Sequence, residues 1–211
     1  MPELRHEAVS AGASQLLLPW IESLLANANI PLNKLDAIAV GIGPGAFTGV
    51  RLGVAAVQGL AISYDLPVIS VSSLDAIASQ LISTPEFQKI HPKYFVFAID
   101  ARMEEVYWAK YEVQVNQLPK RIGEINLTNP ENIDLEGIGF LAGSAVSAYR
   151  ERLQSFAGAL DSEISISALG ILECAKRMFA QGMQQDVRKL EPLYVRNKVA
   201  FTIAEREGGA R

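Results

Sequence analysis

The residues that most restrict the fold are 36 to 73, where two apolar runs flank a glycine-rich loop and a helical segment. The runs DAIAVGIG (36–43) and LPVISVSS (66–73) are short and apolar, as buried strands are. Val50 to Tyr64 between them reads as a helix. Strand, helix and strand at this spacing predict a βαβ unit, a parallel pair joined by a right-handed crossover. The fold class expected is α/β.

At 211 residues the chain can form one large domain or two small ones. Its formal net charge of −4 argues against broad nucleic-acid binding by this chain alone. The single cysteine, Cys174, excludes an intrachain disulfide and reads as a small apolar residue buried on a helix. The opening MPELRHEAVS has no apolar centre, so it is not a secretory signal. Uncharged runs such as Leu52 to Tyr64 are too short to span a bilayer. The expectation is a cytoplasmic protein with no membrane contact.

Residues 1–10 read as a short polar strand with Leu4, His6, Ala8 and Ser10 on one side. Ala13 to Asn27 has helical spacing in Leu16, Leu17, Trp20, Ile21, Leu24 and Leu25, with Pro19 predicting a kink or a late start. A helix is expected from Ser73 to Ser83, and TPEFQKIHPK (84–93) reads as a connection between lobes. YFVFAID and EEVYWAKYEV form two strands around a tight turn, Asp100-Ala101-Arg102-Met103, with RIGEINLT as a third. GIGFLAGSA reads as a buried strand, followed by helices at Ser144–Phe156 and Ala168–Gln181. Two lobes are expected: residues 1–90, completed by about 191–211, and residues 91–190.

The loop GIGPGAFTGVRLG (41–53) raises a choice between a phosphate cradle and a turn. Backbone amides exposed by glycines at a helix N-terminus favour an anion. The spacing is not the Walker pattern, and no acidic residue closes the next strand as a dinucleotide loop requires. As a turn, Pro44 fixes one φ angle, Gly43 and Gly45 supply others, and Thr48 is a reasonable N-cap. Behind it, small residues recur at four-residue steps: Gly49 and Gly53, then Ala55, Gly59 and Ser63. Glycine inside a helix costs about 1 kcal/mol relative to alanine, so this stripe implies close approach of another helix, from the same lobe or from another chain.

GPGAFTGVRLG closely resembles the signature of the TsaB (YeaZ) family, carried here by Gly43, Pro44, Gly45, Phe47, Thr48, Gly49, Arg51 and Gly53. IDARMEEVYWAKY resembles that family's Asp-Ala-Arg turn, here Asp100 and Arg102, and EPLYVRN its Pro-x-Tyr-x-Arg segment. The resemblance implies an actin/Hsp70-like ATPase fold of two lobes with mixed sheets flanked by helices. It implies an accessory subunit of the bacterial tRNA threonylcarbamoyladenosine machinery, working with a TsaD paralogue that carries out the transfer and a TsaE ATPase. Family members open with a β-hairpin ahead of the segment seen here, so the first lobe is expected to be incomplete at its N-terminus, with reduced stability or a compensating contact.

On the same comparison, Ala101 and Arg102 supply bulk where ATP-hydrolysing relatives place glycines. The helix that in TsaD carries a metal-binding histidine pair has no histidine here. His6 and His91 have no pairing spacing, and Ser10 stands where a His-Glu-x-x-His motif needs its second histidine. No nucleophile elbow is present, and an older glycoprotease-like label for the family finds no support in the residues. Asp100, Glu104 and Glu105 read as a charged hairpin turn rather than a carboxylate site. No catalytic residue, metal or cofactor is expected, with a nucleotide at the partner interface left open.

The expected partner surface combines Leu17, Trp20, Ile21 and Leu24 with Leu52, Ala55, Ala56, Gly59 and Ser63. It would meet the TsaD-like paralogue, or a second copy when the chain is alone, with tRNA contacted only through the complex. Arg51 and Arg196 are expected to satisfy backbone carbonyls rather than RNA. Two other readings stay open: a nucleotide-binding ATPase-like enzyme using the Gly43–Thr48 loop, and a stand-alone homodimeric regulatory protein.

Overall fold

A computed structural model describes residues 2–7, 12–115 and 117–196. The described chain runs α1 (Ala13–Ala28), β1 (Ile38–Gly43), α2 (Phe47–Ile62), β2 (Val68–Ser72), α3 (Ser73–Leu81), α4 (Pro85–Ile90) and β3 (Tyr94–Asp100). It continues with β4 (Val106–Glu112), β5 (Lys120–Thr128), β6 (Phe140–Ala142), α5 (Ser144–Ala148), β7 (Ala159–Asp161) and α6 (Ala168–Ala180).

The predicted βαβ unit is present: β1 and β2 pair in parallel, Ile38 opposite Val68, with α2 as the crossover. A second sheet has the order β5-β4-β3-β6-β7, in which β3–β4 and β4–β5 are antiparallel and β3–β6 and β6–β7 parallel. Alternation along β3 sends Phe95 and Phe97 to one face and Val96 and Ala98 to the other. The first face packs Tyr111 and Phe140 against α3 and Phe87 of α4. The second packs Trp108 and Leu141 against Ala145 and Val146 of α5.

α3 joins the sheets. Its Leu74, Ile77 and Leu81 belong to the larger sheet's core, while Ala76 packs with Ile69, Val71 and Ala175 of α6 against the smaller. α6 comes so close that a Cβ on Gly170 would lie 2.3 Å from the Ala76 carbonyl oxygen. After α6 the chain returns to β2, where Gln185 and Val68 exchange two backbone hydrogen bonds of 2.9 Å. Beside this packing, Asp75 accepts from the Tyr111 hydroxyl at 2.8 Å and from Arg121 at 3.1 and 3.2 Å. Burial raises the Asp75 carboxyl above its usual range, opposed by Arg121 and the Tyr111 hydrogen bond.

Several expectations are corrected. Residues 2–7 form no strand, and Ala8 and Ser10 lie outside the described residues, as do 197–211 of the segment expected to complete the first lobe. α1 starts at Ala13, well ahead of Pro19, and continues through it. α2 begins at Phe47, so Thr48 lies inside its first turn, Ala46 takes the N-cap place, and no side chain caps it. The 84–93 connection is largely helical: Thr84 accepts from the Phe87 amide, Pro85 opens α4, and Phe87 is buried in the core. The helix expected over Ser144–Phe156 stops at Ala148. The β3–β4 turn spans five residues, 101–105, with Arg102, Met103 and Glu104 all left-handed.

Candidate functional site

β1 ends at Gly43, whose φ of +101° is a conformation that side chains disfavour. The Gly43–Pro44 peptide is cis, and the chain turns directly into α2. Gly45 has no positive φ, so only Gly43 meets the expectation for the pair. Leu193 donates its amide to the Ile42 carbonyl at 2.8 Å, laying 192–196 across this loop. Arg51, one turn into α2, holds its guanidinium 3.2 Å from the centre of the Phe47 ring and donates to the Tyr194 hydroxyl.

The opposite wall is the 101–105 loop. The Asp100 carboxylate accepts from the Arg102 amide and the Tyr149 hydroxyl, both at 2.8 Å, and the Asp100 amide donates to Ser144 Oγ at 3.0 Å. Burial and the bond to Asp100 push the Tyr149 hydroxyl up to about 12. Arg196 reaches this loop from the C-terminal side, donating to the Glu105 carboxylate and to the Arg102 carbonyl at 3.3 Å. Residues 192–196 therefore strap the loop after β1 to the loop after β3.

Between them lies a cleft of about 660 Å³. It gathers the three motifs quoted from the sequence: Gly43, Pro44, Gly45, Phe47 and Arg51; Asp100 and Arg102; and 192–196. Sequence reasoning did not place them together, and it missed Ser144, Ser147 and Tyr107, which also line the cleft. Arg196 satisfies a backbone carbonyl as expected, whereas Arg51 bonds a side-chain hydroxyl instead.

Chemically, three amides of the 101–105 loop are bonded within the turn. The Ala101 amide goes to the Glu105 carbonyl, Arg102 to Asp100, and Glu105 to the Arg102 carbonyl. Ala101 is buried and the Arg102 side chain projects into solvent. The three carboxylates diverge: Asp100 serves the loop, Glu105 meets Arg196, and Glu104 lies 3.8 Å from Arg152. Among the described residues no group of three or more His, Cys, Asp or Glu could hold a metal ion. His91 is an exposed residue ending α4, and His6 is exposed among residues 2–7.

A second candidate surface is built by α1 and α2. α1 has no fully buried residue, and Leu17, Trp20, Ile21 and Leu24 are half-buried. On α2, Leu52, Gly53 and Ala56 are half-buried, while Gly49, Ala55, Gly59 and Ser63 are exposed. A Cβ added at Gly49 or Gly59 would meet nothing within 4 Å, so none of the described residues fills this part of the stripe. Phe47 and Ile62, 52% and 56% exposed, flank it. Sequence reasoning left Ile62 out, although its position three residues after Gly59 puts it on the same face.

The family model described as TsaD, tRNA N6-adenosine threonylcarbamoyltransferase, matches residues 7–202. The chain is 34% identical to the tRNA threonylcarbamoyladenosine biosynthesis protein TsaB of Haemophilus influenzae, over 93% of this chain and 85% of that one. It is also 34% identical to the TsaB of Escherichia coli, over 89% and 82%. A crystal structure of a Pseudomonas aeruginosa protein described as similar to the peptidase YeaZ superposes with a TM-score of 0.79. That protein is 34% identical, with 91% of this chain and 88% of that chain covered. YeaZ from the same organism matches with a TM-score of 0.79.

Proposed function

This chain belongs to the TsaB (YeaZ) family and has its actin-like ATPase type of fold; from that premise we propose that it is a non-catalytic subunit supporting a TsaD-like transferase. Its role lies in making threonylcarbamoyladenosine in tRNA, a TsaE-like ATPase completes the assembly, and tRNA is met only through the complex. The α1–α2 surface is the docking face.

One observation carries this reading. α2 keeps Gly49 and Gly59 on an exposed face with none of the described residues above them. Glycine there costs helix stability, about 1 kcal/mol per position, and brings no packing against the described residues in return. A partner helix approaching closely makes use of it, and half-buried Leu17, Trp20, Ile21 and Leu24 supply apolar area beside it. In the cleft, the amides of Ala101, Arg102 and Glu105 are already bonded within the loop, which supports the same reading over an ATP-hydrolysing one.

The experiment is co-purification of Gly59→Arg with the TsaD-like paralogue. Capture is lost while circular dichroism and a cooperative melt remain those of the parent. Unchanged capture by a folded variant would overturn the proposal. Calorimetry with ATP and ADP on the isolated chain tests the non-catalytic part, and heat from a saturable cleft site would sink it. When the chain is alone, a second copy is proposed to cover the same face, so light scattering should show a dimer that the paralogue dissociates.

A further inference from the structure

A pocket of about 460 Å³ lies where β2, the start of β5 and the C-terminal end of α6 meet. It shares no lining residue with the cleft under 192–196 and none with the α1–α2 surface, so its chemistry is independent of partner docking. Leu118, Met178 and Met183 give it apolar walls, and the first two pack against Ile69, Val71 and Ala175. Lys120, Arg121 and Arg177 bring three cations to it, against the single carboxylate of Asp75.

Those cations are not equivalent. Arg121 is held by Asp75 at 3.1 Å, and the same carboxylate accepts from the Tyr111 hydroxyl. Among the described residues Lys120 and Arg177 form no salt bridge, although Arg177 is half-buried. Ser72 lines the same pocket and is 8% exposed. Among the described residues its Oγ has no hydrogen-bond partner, whereas buried polar groups are almost always paired.

We propose that this pocket binds a small carboxylate with a short apolar tail. The planar guanidinium of Arg177 donates to both carboxylate oxygens, Lys120 adds its charge from the exposed rim, and the Ser72 hydroxyl supplies a neutral donor. The tail lies on Leu118, Met178 and Met183, and unbranched methionines adapt to tails of different shape. The size is within the range of about 300–1,000 Å³ usual for small-ligand sites. A phosphate fits less well. Asp75 occupies the first turn of α3, so the helix start that would suit a dianion already carries a carboxylate.

Titration of the full chain with hexanoate, followed by NMR of its methionine methyl groups, tests this. The chain has four methionines, of which Met178 and Met183 line the pocket and Met103 lines the 192–196 cleft. Hexanoate should shift Met178 and Met183 saturably and leave Met103 unmoved. Hexanamide, which lacks the charge, should bind at least about tenfold more weakly. Arg177→Gln should weaken hexanoate by at least about tenfold, and so should Met183→Glu, which sets a negative charge at a residue 53% exposed. No saturable shift, or hexanamide or inorganic phosphate binding as tightly as hexanoate, would overturn the proposal. Shifts confined to Met103 would put the carboxylate in the cleft and overturn it too. So would unchanged affinity in Arg177→Gln, and where that variant fails to fold, unchanged affinity in Met183→Glu decides against the site.

Discussion

Arg51 and Tyr194 stand 143 positions apart, yet Nη2 and Nε of the arginine donate to the tyrosine hydroxyl at 2.8 and 3.1 Å. Stacking on Phe47 fixes the guanidinium, and Arg196, two residues beyond Tyr194, is tied to the 101–105 loop. The family's loop and its C-terminal segment are thus two halves of one strap across the cleft. Tyr194→Phe should cost about 0.5 kcal/mol in urea unfolding, because the tyrosine is 55% exposed and water replaces part of the bond. Arg51→Ala should cost more, about 1 kcal/mol, since the stack on Phe47 is lost as well. Equal costs, or no coupling in the double-mutant cycle, would refute the strap.

Glycines on two helices should respond in opposite ways. Gly170→Ala places a methyl 2.3 Å from the Ala76 carbonyl oxygen and 2.3 Å from Gln80 Oε1, so α6 must lift from α3. A loss of about 2–3 kcal/mol is expected. Gly59→Ala meets nothing within 4 Å, and in the monomer, at concentrations too low for a second copy to dock, it should gain about 0.5–1 kcal/mol from helix propensity. Thermal melts of the two variants decide it, and a destabilised Gly59→Ala would mean that the stripe is already covered.

What could be read from the sequence follows from how local the signal is. β1, α2 and β2, and the antiparallel run β3–β4–β5, announce themselves through apolar runs and alternation that each strand carries within itself. α4 carried a signal that polarity masked: Thr84-Pro85-Glu86 is a cap, a proline at the first helical position and an acid in the first turn. β7, only Ala159 to Asp161, is too short for any periodicity to show, and α5 ends at Ala148 with no proline or glycine at its end to mark the stop. The motifs of the cleft were recognisable one by one. Their meeting depends on the chain returning from α6 to β1, a tertiary event that no window of sequence contains.

Arg121→Met tests the network below α3. Asp75 has its folded value raised by burial, so its ionised form is already a strain on the fold, relieved in part by Arg121 and the Tyr111 hydroxyl. Removing the cation leaves a half-buried carboxylate with one donor, and a loss of about 1–2 kcal/mol at pH 7 is expected. Raised carboxyl values weaken the fold as pH rises, so the deficit should shrink as pH falls through the carboxyl range and Asp75 takes a proton. Urea titrations of parent and variant at pH 7 and pH 4.5 measure it. A deficit independent of pH would point to lost packing of the Arg121 stem instead.

Cys174 offers the reverse window. Burial, more than any neighbour, pushes its thiol up to about 11, and its sulfur lies 3.6 Å from the Asp75 carbonyl oxygen as a donor would. In the unfolded chain the thiol ionises near its ordinary value of 9.0. As pH rises past 9, the unfolded state gives up this proton first and binds fewer protons than the folded one. Stability must then fall with rising pH until the folded thiol also ionises near 11. Against Cys174→Ala, which lacks the group, the parent should lose an extra ~1–2 kcal/mol between pH 8 and pH 10.5. Other titrating groups are common to both chains and cancel. Iodoacetamide gives an independent reading: at pH 8 the folded parent should be labelled many times more slowly than the urea-unfolded chain. Rapid labelling of the folded protein at pH 8 would show an accessible, ordinary thiol and contradict the packing of α6 against α3.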